Sequence, residues 1–115
     1  MDLVEEVYML TRRFPKEEQF GLTSQVRRAA TSILANIAEG FSRTTAADKA
    51  HKYIIARGEC SETHALILIP IRLKILTEDQ TKKSISLCIE IGKMLTALIQ
   101  NYSQQKSRPN PNPIP

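Results

Sequence analysis

The sequence contains no tryptophan, and its phenylalanines and tyrosines make up only 5% of the 115 residues. These few aromatics do not alternate with basic residues, so the pattern with which proteins stack unpaired nucleobases is absent. Two cysteines are too few for the disulfide framework of a small secreted protein. The longest apolar run, 65–71, is far shorter than the roughly 20 residues of a membrane-spanning helix. Because the first residues are acidic and form no signal peptide, we expect a cytoplasmic protein.

The composition is typical of a single globular domain. Hydrophobic residues make up 42% of the chain and charged residues 24%. The 16 Lys and Arg residues outnumber the 12 Asp and Glu residues, which gives a net charge of +4. A positive excess favours a polyanion as partner. Two of the basic residues, Lys106 and Arg108, lie in the proline-rich end of the chain, so the folded part carries a smaller excess.

Apolar residues recur at helical spacing in four segments, and no segment alternates in the manner of a β-strand. The first predicted helix ends before Pro15, which disfavours helical geometry at the residue before it. The second helix begins at a cap, either Thr23 or Ser24. Gly40 follows its apolar stripe and predicts its end.

The third and fourth helices have clearer start signals. Both fit the capping box, at Thr45–Asp48 and at Thr77–Gln80. In this motif the side chain of the first residue accepts from the backbone N–H of the fourth, and the side chain of the fourth accepts from the backbone N–H of the first. Pro70 lacks a backbone N–H and should kink the third helix or end it. The fourth helix is expected to fade after Tyr102.

These helices and their short connections predict an all-α fold, an antiparallel up-down four-helix bundle over residues 1–102. Residues 103–115 become rich in proline, which predicts a disordered tail.

Helix 3 carries two lines of mostly small or apolar residues. The first consists of Ala50, Ile54, Gly58, Ser61, Ala65 and Leu68. The second consists of Tyr53, Ala56, Cys60, Thr63 and Ile67. Two such lines predict burial on more than one side, either because the helix is central in the bundle or because it forms a subunit interface. We assign the second line to self-assembly.

Cys60 and Cys88 fall in helices 3 and 4. If the hairpin between these helices turns near Leu76, the two cysteines are offset by about 6 Å of helix rise. Such an offset argues against a relaxed disulfide, and we interpret both residues as buried, reduced thiols.

Basic residues flank the connection between helices 1 and 2. They are Arg12, Arg13, Lys16, Arg27 and Arg28. If the connection brings them together, they form a patch that would bind phosphates with strong salt dependence and little sequence preference. The alternative is a solvated face that Glu17 and Glu18 partly neutralise. Lys82 and Lys83 are a second, weaker candidate.

The sequence predicts neither a catalytic site nor a cofactor site. A nucleophile elbow and a glycine-rich phosphate loop are both absent, and neither cysteine has an evident base near it. Asp48 and His51 could share one face of helix 3, but the Glu-x-x-His pairs of a di-iron bundle are missing. We therefore expect a non-enzymatic protein that holds no metal.

Several segments resemble a known family. They read FPKEE at 14–18, LTSQVRRAA at 22–30, ILANIAEG at 33–40, IARG at 55–58 and LTE at 76–78. In these motifs the chain resembles the four-helix-bundle proteins encoded by intervening sequences in bacterial large-subunit rRNA genes. That family is itself similar to the accessory variability proteins of diversity-generating retroelements. The resemblance extends from Leu3 to about Tyr102.

The resemblance implies an assembly and a class of partner, but no reaction. Members of the family form homopentamers, and no catalytic activity is established for them. The retroelement relatives bind a reverse transcriptase and nucleic acid through a basic surface. For this chain the resemblance therefore implies a homo-oligomer, with RNA, DNA or a reverse transcriptase as partner and no membrane.

A further set matches positions within the family's motifs: Asn36, Glu39, Arg43 and Arg57. These residues form either a binding site or a polar cluster that stabilises the turn between helices 2 and 3. We favour the structural interpretation, in which Glu39 pairs with an arginine and Asn36 hydrogen-bonds the backbone.

Three features depart from the family's pattern. The chain lacks the aromatic, tryptophan-containing segment with which members usually begin, so we expect a short first helix. Leu34 stands where a proline is common, which predicts a straighter second helix. Pro70 stands where the family has a helix-forming residue, which predicts a different end for the third.

The leading functional hypothesis is a non-enzymatic, homo-oligomeric bundle that binds RNA or a nucleic acid–protein complex through its basic surface. The alternative is a protein-binding scaffold or an accessory subunit, for example of a reverse transcriptase, that contacts no nucleic acid directly.

Overall fold

The computed structural model describes residues 1–107, and the side chains of all of these except 19, 20 and 105–107. Within that range there are four α-helices and no β-strand, which confirms the all-α four-helix bundle. The helices are α1 (Asp2–Thr11), α2 (Ser24–Ser42), α3 (Ala46–Arg72) and α4 (Glu78–Ser107). Each helix packs against two neighbours, so that the four form a closed ring around one core.

One apolar face of each helix fills the core. The largest fully buried apolar side chains are Leu3 and Val7 of α1, Val26 and Ile33 of α2, Tyr53 of α3 and Leu95 of α4. The apolar stripes predicted for helices 1, 2 and 4 supply most of these positions. The helix α1 ends at Thr11, before Pro15 as predicted. The Thr11 hydroxyl donates a hydrogen bond to the Val7 carbonyl oxygen, at 2.8 Å, and so remains satisfied although it is buried.

The predicted cap at Thr23 or Ser24 is wrong. A 3₁₀ turn (Lys16–Glu18) and a π-helical turn (Gln19–Thr23) lead directly into α2. Thr23 is itself helical, with φ −57° and ψ −50°, and its side chain makes no capping hydrogen bond. A capping side chain is needed where the first N–H groups of a helix are free. Here the preceding turns make the backbone helical before α2 begins.

The predicted stop at Gly40 is also wrong. The helix α2 continues to Ser42, and Gly40 is buried inside it. A Cβ atom built on Gly40 would lie 3.0 Å from Cδ1 and from Cζ of Tyr53, and closer still to Cε1. The glycine therefore allows α2 to approach α3, rather than ending the helix.

The predicted capping box at Thr77 is complete, and of the box at Thr45 one of the two bonds is present among the described residues. At the start of α3, the Asp48 N–H donates to the Thr45 hydroxyl at 3.1 Å. At the start of α4, the Gln80 N–H donates to the Thr77 hydroxyl at 3.2 Å, and the Thr77 N–H donates to Gln80 Oε1 at 2.9 Å. These bonds satisfy N–H groups that the helices themselves leave free.

The assignment of the second line of helix 3 to self-assembly is wrong, because all of its members are buried within the bundle. They are Tyr53, Ala56, Cys60, Thr63 and Ile67. The first line is the one exposed, apart from Ala50 at its start. Ile54 and Leu68 are 46% and 44% exposed, and the residues between them also face outward.

The turn between α3 and α4 lies earlier than assumed. The carbonyl oxygen of Pro70 accepts hydrogen bonds from the N–H groups of Ile75 and Leu76, at 2.9 and 3.2 Å. The helix α3 ends two residues after Pro70, and Lys74 adopts a left-handed φ of 60°. Residue 74 is equidistant along the chain from both cysteines.

Cys60 and Cys88 therefore lie opposite one another, and the predicted offset between them is wrong. The thiol of Cys60 donates to the carbonyl oxygen of Cys88 at 3.2 Å. Both thiols are free and buried, as expected from the sequence.

The fourth helix runs to Ser107, beyond the expected end at Tyr102. Residues 103–107, placed by the sequence in the tail, are helical, and the rest of the predicted tail, 108–115, lies outside the described residues. No helix in the described part of the chain combines the length and apolar character needed to cross a membrane.

Candidate nucleic-acid interface

The predicted basic patch is divided between three places on the surface. Arg12 and Arg13 border a groove between α1 and α4, and Lys16 and Arg27 border a groove between α1 and α2. Both grooves lie at the end of α1. Arg28 faces α3 instead.

The α1–α4 groove has a volume of about 350 Å³ and is lined by Glu6, Met9, Leu10, Arg12, Arg13 and Gln80. Its one acidic residue, Glu6, forms an ion pair with Lys83 at 3.2 Å. Arg12 and Arg13 are exposed, and neither forms an ion pair within the described residues. The groove thus presents two uncompensated guanidinium groups. The second basic candidate is divided as well, because Lys83 pairs with Glu6 and Lys82 borders a different groove, between α3 and α4.

The α1–α2 groove has a volume of about 190 Å³. Arg27 is half-buried there, and its Nε donates to the Thr11 hydroxyl at 2.8 Å. Its guanidinium lies 4.4 Å from the centroid of the Tyr8 ring, within cation–π distance. Arg27 therefore holds α1 against α2. Lys16, which is exposed, is the cation of this groove that is free to meet a ligand.

Arg28 is compensated by two acids of α3. Its guanidinium lies 2.9 Å from Glu62 and 3.5 Å from Glu59. The charge of Glu59, together with the hydrogen bond and charge of Glu62, raises the pKa of Arg28. Successive residues of an α-helix point about 100° apart, which is why Arg27 turns toward α1 and Arg28 toward α3.

The polar set at the turn between α2 and α3 does not form one cluster. Glu39 pairs with Lys52 at 2.7 Å, and not with an arginine as expected. The hydrogen bond and charge of Lys52 lower the pKa of Glu39, and the charge of Arg43 adds to this effect. Asn36 stays within α2, where its Nδ2 donates to the Ser32 carbonyl oxygen at 2.9 Å. Arg57 is half-buried on α3, and in the part of the chain that the structure describes no hydrogen bond joins it to the other three.

The outer face of α3 is a surface that the sequence did not lead us to expect as a contact. This surface, the α3 outer face, consists of Ile54, Gly58, Ser61, Ala65 and Leu68. All five are exposed, and none is charged. The solvent-facing side of a long helix is ordinarily polar or charged, so an exposed face of this composition is a candidate contact surface. The signal was present in the sequence as the first of the two lines on helix 3.

The α3 outer face continues into a groove of about 370 Å³ beside the start of α4. The groove is lined by Leu68, Ile71, Arg72, Glu78, Thr81, Lys82 and Ile85. Ile89, on the next turn of α4, is 45% exposed. Both α3 and α4 therefore expose apolar side chains on this side of their hairpin.

Among the described residues, no group of three or more His, Cys, Asp and Glu side chains is placed to hold a metal ion.

Comparison with known proteins places the chain among similar sequences and structures. The family model described as 23S rRNA-intervening sequence protein matches residues 1–97. A solved structure from Bacteroides thetaiotaomicron, of a protein with unknown function from the S23 ribosomal protein family, is similar with a TM-score of 0.74 and 29% sequence identity. The match covers 86% of this chain and 89% of that one. No curated protein matches significantly.

Proposed function

Since the chain belongs to the family of 23S rRNA-intervening sequence proteins, we propose that it is a non-enzymatic homo-oligomer that binds RNA, alone or with protein, through its α1–α4 groove. The observation that carries this proposal is the pair Arg12 and Arg13, exposed side by side at a groove whose acid is paired elsewhere. The family's name refers to an intervening sequence in ribosomal RNA, which makes RNA the first polyanion to test.

The chemistry of the groove suits a phosphate backbone. Guanidinium groups bind phosphate oxygens with two parallel hydrogen bonds, and each bound phosphate releases condensed counterions. Gln80 uses its Oε1 in the capping box and so keeps its amide N–H groups for a phosphate or a ribose hydroxyl. The mixture of cations with Met9 and Leu10 provides no base-specific pattern. We therefore expect binding with little sequence preference.

Assembly through the α3 outer face would multiply this weak site. Two or more copies that each present Arg12 and Arg13 bind one RNA more tightly than a single copy, because later contacts become intramolecular. The exposed Ile54 and Leu68 support such an assembly, because burying them against another copy removes apolar surface from water. The homopentamer expected from the family resemblance is one assembly of this kind.

The test is the binding of a fluorescein-labelled RNA hairpin of arbitrary sequence, followed by anisotropy over a series of salt concentrations. The variant Arg12→Gln/Arg13→Gln should bind more weakly, with a log–log salt slope that is shallower by about two per bound protomer. The control Arg28→Gln/Arg43→Gln removes the same charge at positions away from the groove and should keep the wild-type slope.

Equal loss of affinity in both variants would mean that net charge, and not the groove, attracts RNA. A duplex DNA of the same sequence is titrated in parallel. If it bound more tightly than the RNA, DNA would be the ligand instead of RNA. The scaffold hypothesis draws on the same α3 outer face, which could contact a different protein. Undetectable RNA binding at low salt, by an oligomer shown to be intact, would favour that scaffold.

A further inference from the structure

The two cysteines lie in contact across the interface of α3 and α4. Cys60 and Cys88 are each 3% exposed, and they are 28 positions apart in sequence. The Cys60 thiol donates to the Cys88 carbonyl oxygen at 3.2 Å, so the sulfur of Cys60 is in contact with the backbone of Cys88. Neighbouring helices pack with their axes 8–10 Å apart, which brings facing residues within the range that a disulfide can bridge.

The pair is also chemically unequal. The hydrogen bond from Cys88 lowers the pKa of the Cys60 thiol, and the same bond, together with burial, raises the pKa of the Cys88 thiol. When one thiol loses its proton, the negative charge of the thiolate makes loss of the proton from the other thiol less favourable, as in any closely coupled pair. Oxidation that begins at either sulfur gives the same disulfide, and Cys60, whose pKa is lowered, is taken as the first to react, since the thiolate is the reactive form of cysteine.

The surroundings leave room for a small reagent. Gly92 lies one turn after Cys88 on α4. A Cβ atom built on Gly92 would meet no atom within 4 Å beyond its own stretch of helix. A small, neutral molecule can approach the thiols through this gap when the helices fluctuate, whereas a bulky thiol reagent cannot.

We propose that Cys60 and Cys88 are a reversible redox pair, which hydrogen peroxide converts into an intramolecular disulfide that links α3 to α4. The proposal is independent of RNA binding, because it concerns the core of the α3–α4 hairpin and no residue of the α1–α4 groove.

The reaction has two steps. In the first, the Cys60 thiolate attacks one oxygen of the peroxide, the O–O bond breaks, and hydroxide leaves as Cys60 becomes a sulfenic acid. In the second, the sulfur of Cys88 attacks the sulfur of Cys60, the S–O bond breaks, and the oxygen leaves as water with the proton of Cys88. Two thiols and one peroxide thus give one disulfide and two waters, with two electrons passing from sulfur to oxygen.

The test uses the full chain, treated with hydrogen peroxide, freed of peroxide with catalase, denatured in iodoacetamide and weighed by mass spectrometry. We expect a monomeric polypeptide that has lost two hydrogen atoms and takes up no alkyl group. Dithiothreitol should restore two alkylatable thiols. The oxidised chain should melt at a temperature higher by roughly 10 °C, because the cross-link restricts the unfolded state.

The variants Cys60→Ser and Cys88→Ser should show no intramolecular disulfide, and serine at 60 can still donate to the Cys88 carbonyl oxygen. Met9 and Met94 provide an internal measure of exposure to peroxide, because they are 55% and 46% exposed. Intact thiols at a dose that converts these methionines to sulfoxide would overturn the proposal. So would sulfinic acid at one cysteine, or a disulfide between two polypeptides, as the main product.

Discussion

Gly40 and Tyr53 are in such close contact that α2 and α3 can pack as they do only because residue 40 has no side chain. We expect Gly40→Ala to lower the free energy of unfolding by about 1–3 kcal/mol, since the added methyl group must displace a fully buried ring. Urea unfolding followed by circular dichroism measures this change.

The matched control is Gly92→Ala, where an added Cβ meets no atom of another residue within 4 Å. In that helix interior alanine should raise stability by about 0.5–1 kcal/mol, because it restricts the unfolded chain more than glycine does. If Gly40→Ala and Gly92→Ala changed the free energy of unfolding equally, the Tyr53 ring would not be what limits the side chain at position 40.

The hydroxyl of Tyr53 is buried and has no hydrogen-bond partner within the described residues. Its burial raises the pKa of the phenol, as expected for a group removed from water. We expect Tyr53→Phe to increase the free energy of unfolding by roughly 1 kcal/mol, because it removes an unsatisfied polar atom and keeps the ring. The same change at the half-buried Tyr8 serves as control. A clear loss of stability in Tyr53→Phe alone would mean that the hydroxyl is satisfied in solution.

The ion pair of Glu39 and Lys52 predicts a dependence of stability on pH. The hydrogen bond and charge of Lys52 hold the pKa of Glu39 below its ordinary value of 4.5. The carboxylate therefore contributes stability above that ordinary value, and the contribution is lost as pH falls through the lower pKa of the folded state. The effect is small, because the pair is on the surface.

We expect Glu39→Gln to remove this acid-dependent loss, so that wild type and variant differ in stability near neutral pH and converge once the pH has fallen through the lowered pKa of Glu39. Glu39→Ala should likewise lower the melting temperature at neutral pH. Glu90→Gln is the control, because Glu90 is exposed and forms no ion pair in the described part of the chain. A pH profile of Glu39→Gln parallel to that of wild type would contradict the prediction.

The α3 outer face predicts the effect of a charge on assembly. We expect Ala65→Arg to shift the protein to monomers, measured by size exclusion with light scattering, because the arginine would be buried without a partner in the interface. Stability of the protomer should change by no more than about 0.5 kcal/mol, because residue 65 is exposed. The control is Ala38→Arg, which places the same guanidinium group on the exposed side of α2. Unchanged oligomers in both variants would exclude the α3 outer face as the contact.

Local signals predicted the fold well wherever the relevant contacts are close in sequence. The capping boxes at Thr45 and Thr77 bond residues three positions apart, and the structure contains one bond of the first and both bonds of the second. Gly40 gave a misleading signal, because a glycine that ends a helix and one that admits a neighbouring ring look alike in sequence. The ring of Tyr53 is what distinguishes them, and it comes from another helix.

The candidate site was less predictable, because it depends on helix rotation and on the position of a turn. Arg27 and Arg28 are adjacent in sequence, yet one packs on Tyr8 and the other pairs with acids of α3. The pairing of Cys60 with Cys88 depends on a turn at Lys74, two residues earlier than the sequence suggested. Such an error of register is small along the chain and large across a helix interface.

The turn at Lys74 also determines where the length of this chain can change. One residue inserted or deleted inside α4, ahead of Cys88, would rotate the rest of the helix by about 100° and shift it by about 1.5 Å. Leu95 and Cys88 would then leave the core together, since both lie on the buried side of the same helix. A residue inserted between α3 and α4 should be tolerated far better, because the connection can absorb it without rotating either helix.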